Sequence, residues 1–254
     1  MTPIRIFSRD EQADGQFNGG AILEKKPIGF PQDGGKLRPY SNLFYWAYAW
    51  SEGGSTIGEH PHKGFEIMSF VLRGEIEHYD NQFRGWKKLM AGDAQIIRAG
   101  NGITHAERMH EGSAMFQIWF DPDLSKSINK SPSYNDFTSE KFPIQMENGK
   151  SFKTYKGDNA PIEMDATGIF IQEISLAEGH HLIHMKKDSM FSAFVLEGTL
   201  TIENNHLNND DFFVINDVNG FHLEASSDVR IFAISSPIQP PYKTYAQMHG
   251  LTGN

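Results

Sequence analysis

Four side chains have the types and spacing to hold a metal ion: His60, His62, His105 and Glu107. Successive side chains of a β-strand point to opposite faces, so residues two apart share a face. His60 and His62 therefore point the same way, and so do His105 and Glu107. If the two strands lie side by side, three imidazoles and a carboxylate converge on one volume. A nitrogen-rich set with one carboxylate and open positions suits non-haem Fe(II). A structural zinc site is more often closed and sulfur-rich, and this chain has no Cys. Glu66 shares the parity of His62 on the same count, so parity alone leaves Glu66 and Glu107 as competing acidic ligands.

These residues need strands to position them, and the flanking sequence supplies the signals. The aromatic run Leu43–Trp50 reads as a strand covered on both faces. Phe65–Leu72 is a strand stopped by Gly74, Glu75–Tyr79 alternates before Asp80-Asn81, and Met115–Phe120 ends at Asp121-Pro122. Short strands at close spacing with Gly and Asn turns read as an all-β barrel or sandwich. The polar stretch from Asp121 to about Glu140 reads as a linker, with any helix short and near it. The second half then echoes the first. Phe194-Val-Leu-Glu-Gly198 repeats Phe70-Val-Leu-Arg-Gly74, and Asp210–Gly220 repeats Gly92–Gly102. Two echoes in one order predict a duplication: two antiparallel β-barrels in tandem, residues 1–138 and 139–254.

Composition narrows the function. The chain has 254 residues, 39% hydrophobic and 12% aromatic, enough for a substantial core. A net charge of -9 with scattered Lys and Arg argues against direct binding to nucleic acid. The absence of Cys rules out disulfides and thiolate chemistry. No apolar run suits a signal peptide or a bilayer crossing, so the expected setting is cytoplasmic, away from membranes.

At these motifs the chain resembles the cupin superfamily and, within it, the pirin family of two-domain cupins (bicupins). Gly54, His60, His62 and Glu66 fit the cupin pattern Gly-x5-His-x-His-x3-Glu. The pirin-like features are His60-Pro-His62-Lys-Gly-Phe-Glu66, Leu72-Arg73-Gly74 and Ala99-Gly-Asn-Gly-Ile-Thr-His105-Ala-Glu107. The resemblance implies a metal in the N-terminal barrel held by His60, His62, His105 and Glu107. It decides for Glu107 as the acidic ligand and, if it loosens from the metal, as the proton acceptor, leaving Glu66 to orient a ligand histidine or otherwise to accept the proton. The implied metal is Fe(II), with Ni, Mn, Cu, Co or Zn as alternatives. The implied activity is of the quercetin 2,3-dioxygenase type, with O2 opening the ring of a flavonol-like substrate and releasing carbon monoxide. The family also implies an alternative, a non-catalytic iron-binding redox regulator acting through a protein partner. A third possibility is another metal-dependent chemistry such as sugar-phosphate isomerisation, for which Lys63, Arg98 and Arg108 lie near in sequence.

The second barrel departs from this pattern. Aligned on Gly198, His60 corresponds to His184, but Lys186 replaces His62 and Met190 replaces Glu66. His222 and Glu224 mimic His105 and Glu107 with one residue fewer after the turn, leaving His184, His222 and Glu224 as a remnant set. A cationic Lys would repel a divalent metal, so the expected second barrel is metal-free. His78, His110, His180 and His181 are read as solvent-facing or hydrogen-bonded. For the pocket lining, the Met68, Phe70, Phe116, Ile118 and Phe120 set and the Gln117 and Trp119 set remain alternatives.

Overall fold

The computed structural model describes residues 3–253 and is mostly β-strand with two short α-helical turns, Leu124–Ser127 and Tyr245–Met248. Two compact units make up the chain.

One unit comprises Gln12–Lys141, Met164–Ala166 and the segment from Pro241 onward. Its nine-stranded antiparallel sheet is built on two long strands, Leu43–His62 and Ile103–Phe120, which pair from Leu43↔Phe120 to His62↔Ile103. The strand Ile103–Phe120 changes partners along its length. Its C-terminal half pairs with Glu66–Arg73 and its N-terminal half with Glu75–Asp80, so the sheet bends around a common interior. Both faces of its central part are buried: Trp46, Met68, Phe70, Phe116, Ile118 and Phe120 on one, Ala47, Ile67 and Ser69 on the other.

A register shift between Ile57 and His60 sets the site. Ile57 lies opposite Glu107 and His60 opposite His105, three residues on one strand against two on the other. The extra residue is a β-bulge, and it restores to His60 the face that a regular strand would deny it. Gly53, Gly54 and Gly58 weaken the strand signal here, which is why the sequence shows less strand than the 20 residues that form.

The other unit comprises the segment ending at Glu11, Phe142–Glu163 and Thr167–Pro240. A seven-stranded sheet runs in the order Ile4–Phe7, Phe212–Ile215, Ser189–Glu197, Val229–Pro237, Phe170–Leu176, Lys150–Lys156 and Ile144–Glu147. A four-stranded sheet contains Gly179–His184, Gly220–Ala225, Leu200–Ile202 and Asn205–Leu207. Phe191, Phe213, Phe221, Met185 and Leu223 fill the interior.

The duplication extends to individual hydrogen bonds. Val71 N donates to Asp93 O at 3.1 Å, as Val195 N does to Asp211 O at 2.9 Å. The Asp93 carboxylate accepts from Met90 N, and the Asp211 carboxylate from Asn208 N, both at 2.8 Å.

The units divide differently from the 1–138 and 139–254 partition read from sequence. Ile4–Phe7 adds an edge strand to Phe212–Ile215 in the C-terminal unit, with Ile4 opposite Ile215. The turn Tyr245–Met248 packs on the N-terminal unit against Phe44 and Phe65. An isolated edge strand or single helical turn cannot bury its apolar face alone, so each terminus takes the sheet that offers it one.

Asp121 anchors the C-terminal turn. Its side chain is 1% exposed, and Oδ2 accepts from Ala246 N at 3.2 Å. Burial outweighs the backbone N–H bonds and pushes the carboxyl from 3.8 up to about 7. Because the folded pKa lies above the unfolded one, the stabilising contribution is complete below about pH 4 and lost as pH rises to about 7. The linkage is at most about 4 kcal/mol. Urea unfolding at pH 5 and pH 8 is expected to show a steeper loss for the wild type than for Asp121→Asn, which does not titrate.

Candidate metal centre

Pairing of the two long strands places His60 directly opposite His105. One ring nitrogen from each of His60, His62 and His105 lies within 4.8 Å of the others, the single such group of possible metal ligands among the described residues. Ring centroids are 4.4 Å apart for His60 and His105, 4.7 Å for His62 and His105, and 4.8 Å for His60 and His62. Three nitrogens this close can reach one ion with small movements.

The donor set fits a metal on three further counts. His105 is fully buried, and neither ring nitrogen has a hydrogen-bond partner. Buried His62 Nε2 also has none. Buried polar atoms are ordinarily satisfied, and a bound cation would satisfy these. His60 Nδ1 lies 2.9 Å from Gly58 O, which holds the tautomer that leaves Nε2 its lone pair. Burial, reinforced by the neighbouring His60, lowers the His62 pKa to about 4; burial and the adjacent imidazoles hold His105 lower still. Both rings are neutral at physiological pH, so an ion displaces no proton from them.

Glu107 sits on the same strand two residues on, 2% exposed. It lies outside the three-histidine group: Gln117 Nε2 donates to both carboxylate oxygens at 2.7 and 2.8 Å, and Ser69 Oγ donates at 3.5 Å. Burial raises its pKa, while His60 and His78 draw it down. Trp119 Nε1 donates to Gln117 Oε1 at 3.1 Å, and the Trp119 ring stands edge-on to His62 at 4.8 Å. Of the two candidate lining sets, Gln117 and Trp119 face the histidines. Met68, Phe70, Phe116, Ile118 and Phe120 form the buried opposite face.

Glu66 does not join the site. It is 1% exposed, and its two oxygens accept Asp165 N at 2.7 Å and Ala166 N at 2.8 Å. Burial, the largest influence, raises its pKa against these bonds. Its oxygens are held by these two backbone N–H groups rather than by a ligand histidine. The long strand ends at His62, Gly64 turns with φ +84°, and a new strand starts at Glu66, so parity does not carry across.

His78 is hydrogen-bonded rather than solvent-facing: it is 1% exposed, with Nε2 2.9 Å from buried Asp80 Oδ2. Its ring lies 5.5 Å from His105. The signal was present, since Ile76, His78 and Asp80 share one parity and all are buried. The basic residues considered for a phosphate are engaged elsewhere or exposed. Arg98 donates to Asn135, Arg108 pairs with Glu77 at 2.7 Å over the Trp86 ring, and Lys63 is exposed.

In the second barrel, His184, His222 and Glu224 are exposed while Ile183, Phe221 and Leu223 point inward. One residue fewer between the turn and His222 reverses the side chain's face. The remnant set is therefore not assembled.

Comparison with known proteins supports the same assignment. Residues 41–120, which contain all three histidines and Glu107, match the Pirin family model. Pirin-1 of Arabidopsis thaliana is 29% identical over 168 residues, 64% of this chain and 56% of its own length. The quercetin 2,3-dioxygenase of Escherichia coli K12 is 39% identical over 79 residues, 28% of this chain and 32% of its own. The nickel(II) complex of a bacterial pirin from Escherichia coli has a TM-score of 0.75 at 22% identity, covering 92% of this chain and 99% of that one. The likeness to the pirin family rests on residues 41–120, the stretch that carries the histidine cluster.

Proposed function

We propose that the N-terminal barrel is a metal-dependent dioxygenase centre of the quercetin 2,3-dioxygenase type, acting on a small flavonol-like aromatic with O2. The observation that carries this reading is the group of three convergent imidazoles, half-buried His60 and His62 and buried His105, beside the half-buried indole of Trp119. His60, His62 and His105 would hold the ion, with Glu107 as the fourth ligand after release from Gln117. Fe(II) is the first choice for this donor set, and Ni, Mn, Cu, Co or Zn are alternatives. When bound, the ion supplies Lewis acidity that favours the ionised form of a substrate hydroxyl.

The chain's own residues do the rest. Half-buried Trp119 and Phe65, backed by buried Phe44, offer aromatic surface beside His62 on which a flat ring system can lie. While Gln117 holds it, Glu107 is a proton acceptor whose raised pKa makes it a better base than an exposed carboxylate; released from Gln117, it is the fourth ligand instead. The working setting in this reading is the cytoplasm.

The test uses protein loaded separately with Fe(II), Ni(II), Mn(II) or Cu(II), mixed with quercetin and then O2. Loss of flavonol absorbance with carbon monoxide release is the expected result. Tight metal binding with no turnover for any metal would overturn it and favour a metal-bound regulator acting through a protein partner.

A further inference from the structure

The aromatic surface beside His62 is completed by residues from the far end of the chain. Phe44, Phe65, Trp119 and Tyr245 form one apolar cluster with Phe30, Tyr45 and Leu251. Within it the Tyr245 ring lies 5.8 Å from Phe44 and 5.5 Å from Phe65, edge-on to both. Phe65 lies 5.9 Å from Trp119, and Trp119 lies 4.8 Å from His62. A continuous series of rings thus leads from Tyr245 to a candidate metal ligand. Phe65, Trp119 and Tyr245 are only half-buried, unlike the closed aromatic core around Trp46 and Phe116.

The attachment of Tyr245 is specific. Asp121 follows directly on Phe120, at the end of the strand that carries Gln117 and Trp119, and it accepts the Ala246 N–H. Tyr242 Oη donates to Asp121 O at 2.9 Å, and Thr244 and Gln247 cap the turn reciprocally. Beyond these bonds, Thr244 and Ala246 are buried while Gln247, Met248 and His249 are exposed.

We propose that the C-terminal turn Tyr245–Met248 forms one wall of the substrate site, with Tyr245 selecting planar aromatic ligands by ring contact. The proposal rests on the dioxygenase reading for the identity of the ligand, not for the wall itself. A rigid ring inserted against Trp119 and Phe65 meets the Tyr245 ring next. The three rings are mutually inclined, Tyr245 at 70° to Phe65 and Phe65 at 48° to Trp119, so a thin planar ligand would lie on one ring face and meet the others with its edges, where a puckered ring would be too thick.

The test is anaerobic binding to the full metal-loaded chain, so that no turnover intervenes. Quercetin is compared with its non-planar dihydro form by tryptophan fluorescence and calorimetry. Tyr245→Ala is expected to weaken quercetin binding about tenfold with metal content unchanged, and Tyr245→Phe to stay within about twofold. Tyr245→Leu, which keeps apolar volume on the cluster, is expected to lose most of the preference for the planar ligand while the turn stays docked. Unchanged quercetin affinity in both Tyr245→Ala and Tyr245→Leu would overturn the proposal, as would failure of the wild type to bind quercetin. Binding by the wild type that weakens in Tyr245→Ala, without turnover once O2 is admitted, would sustain the wall and remove the dioxygenase reading.

Discussion

His105→Ala is expected to lose metal affinity by more than about 100-fold, beyond what loss of an outer-sphere partner typically costs. His105 is the most buried of the three ligands and lies near both others, 4.4 Å from His60 and 4.7 Å from His62 between ring centroids. The cost to the metal-free fold is expected to be small because two effects oppose. Removing a buried ring leaves a cavity, which costs about 2–4 kcal/mol. Removing two buried nitrogens without partners relieves about 1–3 kcal/mol. The net change is expected within about 1 kcal/mol, whereas the stabilisation the wild type gains from added metal should vanish. Metal content by mass spectrometry and melting with and without added ion check both halves.

Glu66→Ala is expected to do the reverse, losing stability while keeping the metal. The substitution strips two backbone N–H groups of their acceptor, part-buried Asp165 and buried Ala166. Each orphaned donor costs about 1–3 kcal/mol, offset in part by removing a carboxylate whose burial is itself unfavourable. A net loss of about 3 kcal/mol is expected in urea unfolding, with unchanged metal content. Reduced metal affinity at unchanged stability would restore Glu66 to the site.

These two residues also show how far the sequence is legible. His60, His62 and His105 follow from alternation once two strands are placed side by side. The alternation works for His60 only because a bulge at Ile57 corrects its register, and no residue type announces that bulge. Glu66 misleads because alternation is a property of one strand, and Gly64 ends that strand before Glu66 begins the next. Glu107 shares the parity of His105, yet the amide of Gln117, ten residues along the same strand, holds its carboxylate. That bond depends on strand curvature, which periodicity does not record. The duplication is visible because turn glycines and Asp93 and Asp211 repeat with their hydrogen bonds. The placement of the termini is not, because Ile4–Phe7 carries no mark of which sheet edge will accept it.

The most direct measurement is anomalous diffraction at the metal edge from crystals of the Fe(II)- or Ni(II)-loaded protein. The account predicts one peak in the N-terminal barrel, within bonding distance of His60, His62 and His105, and none in the second barrel. A peak lacking any of the three histidines, or no peak at full loading, would contradict it.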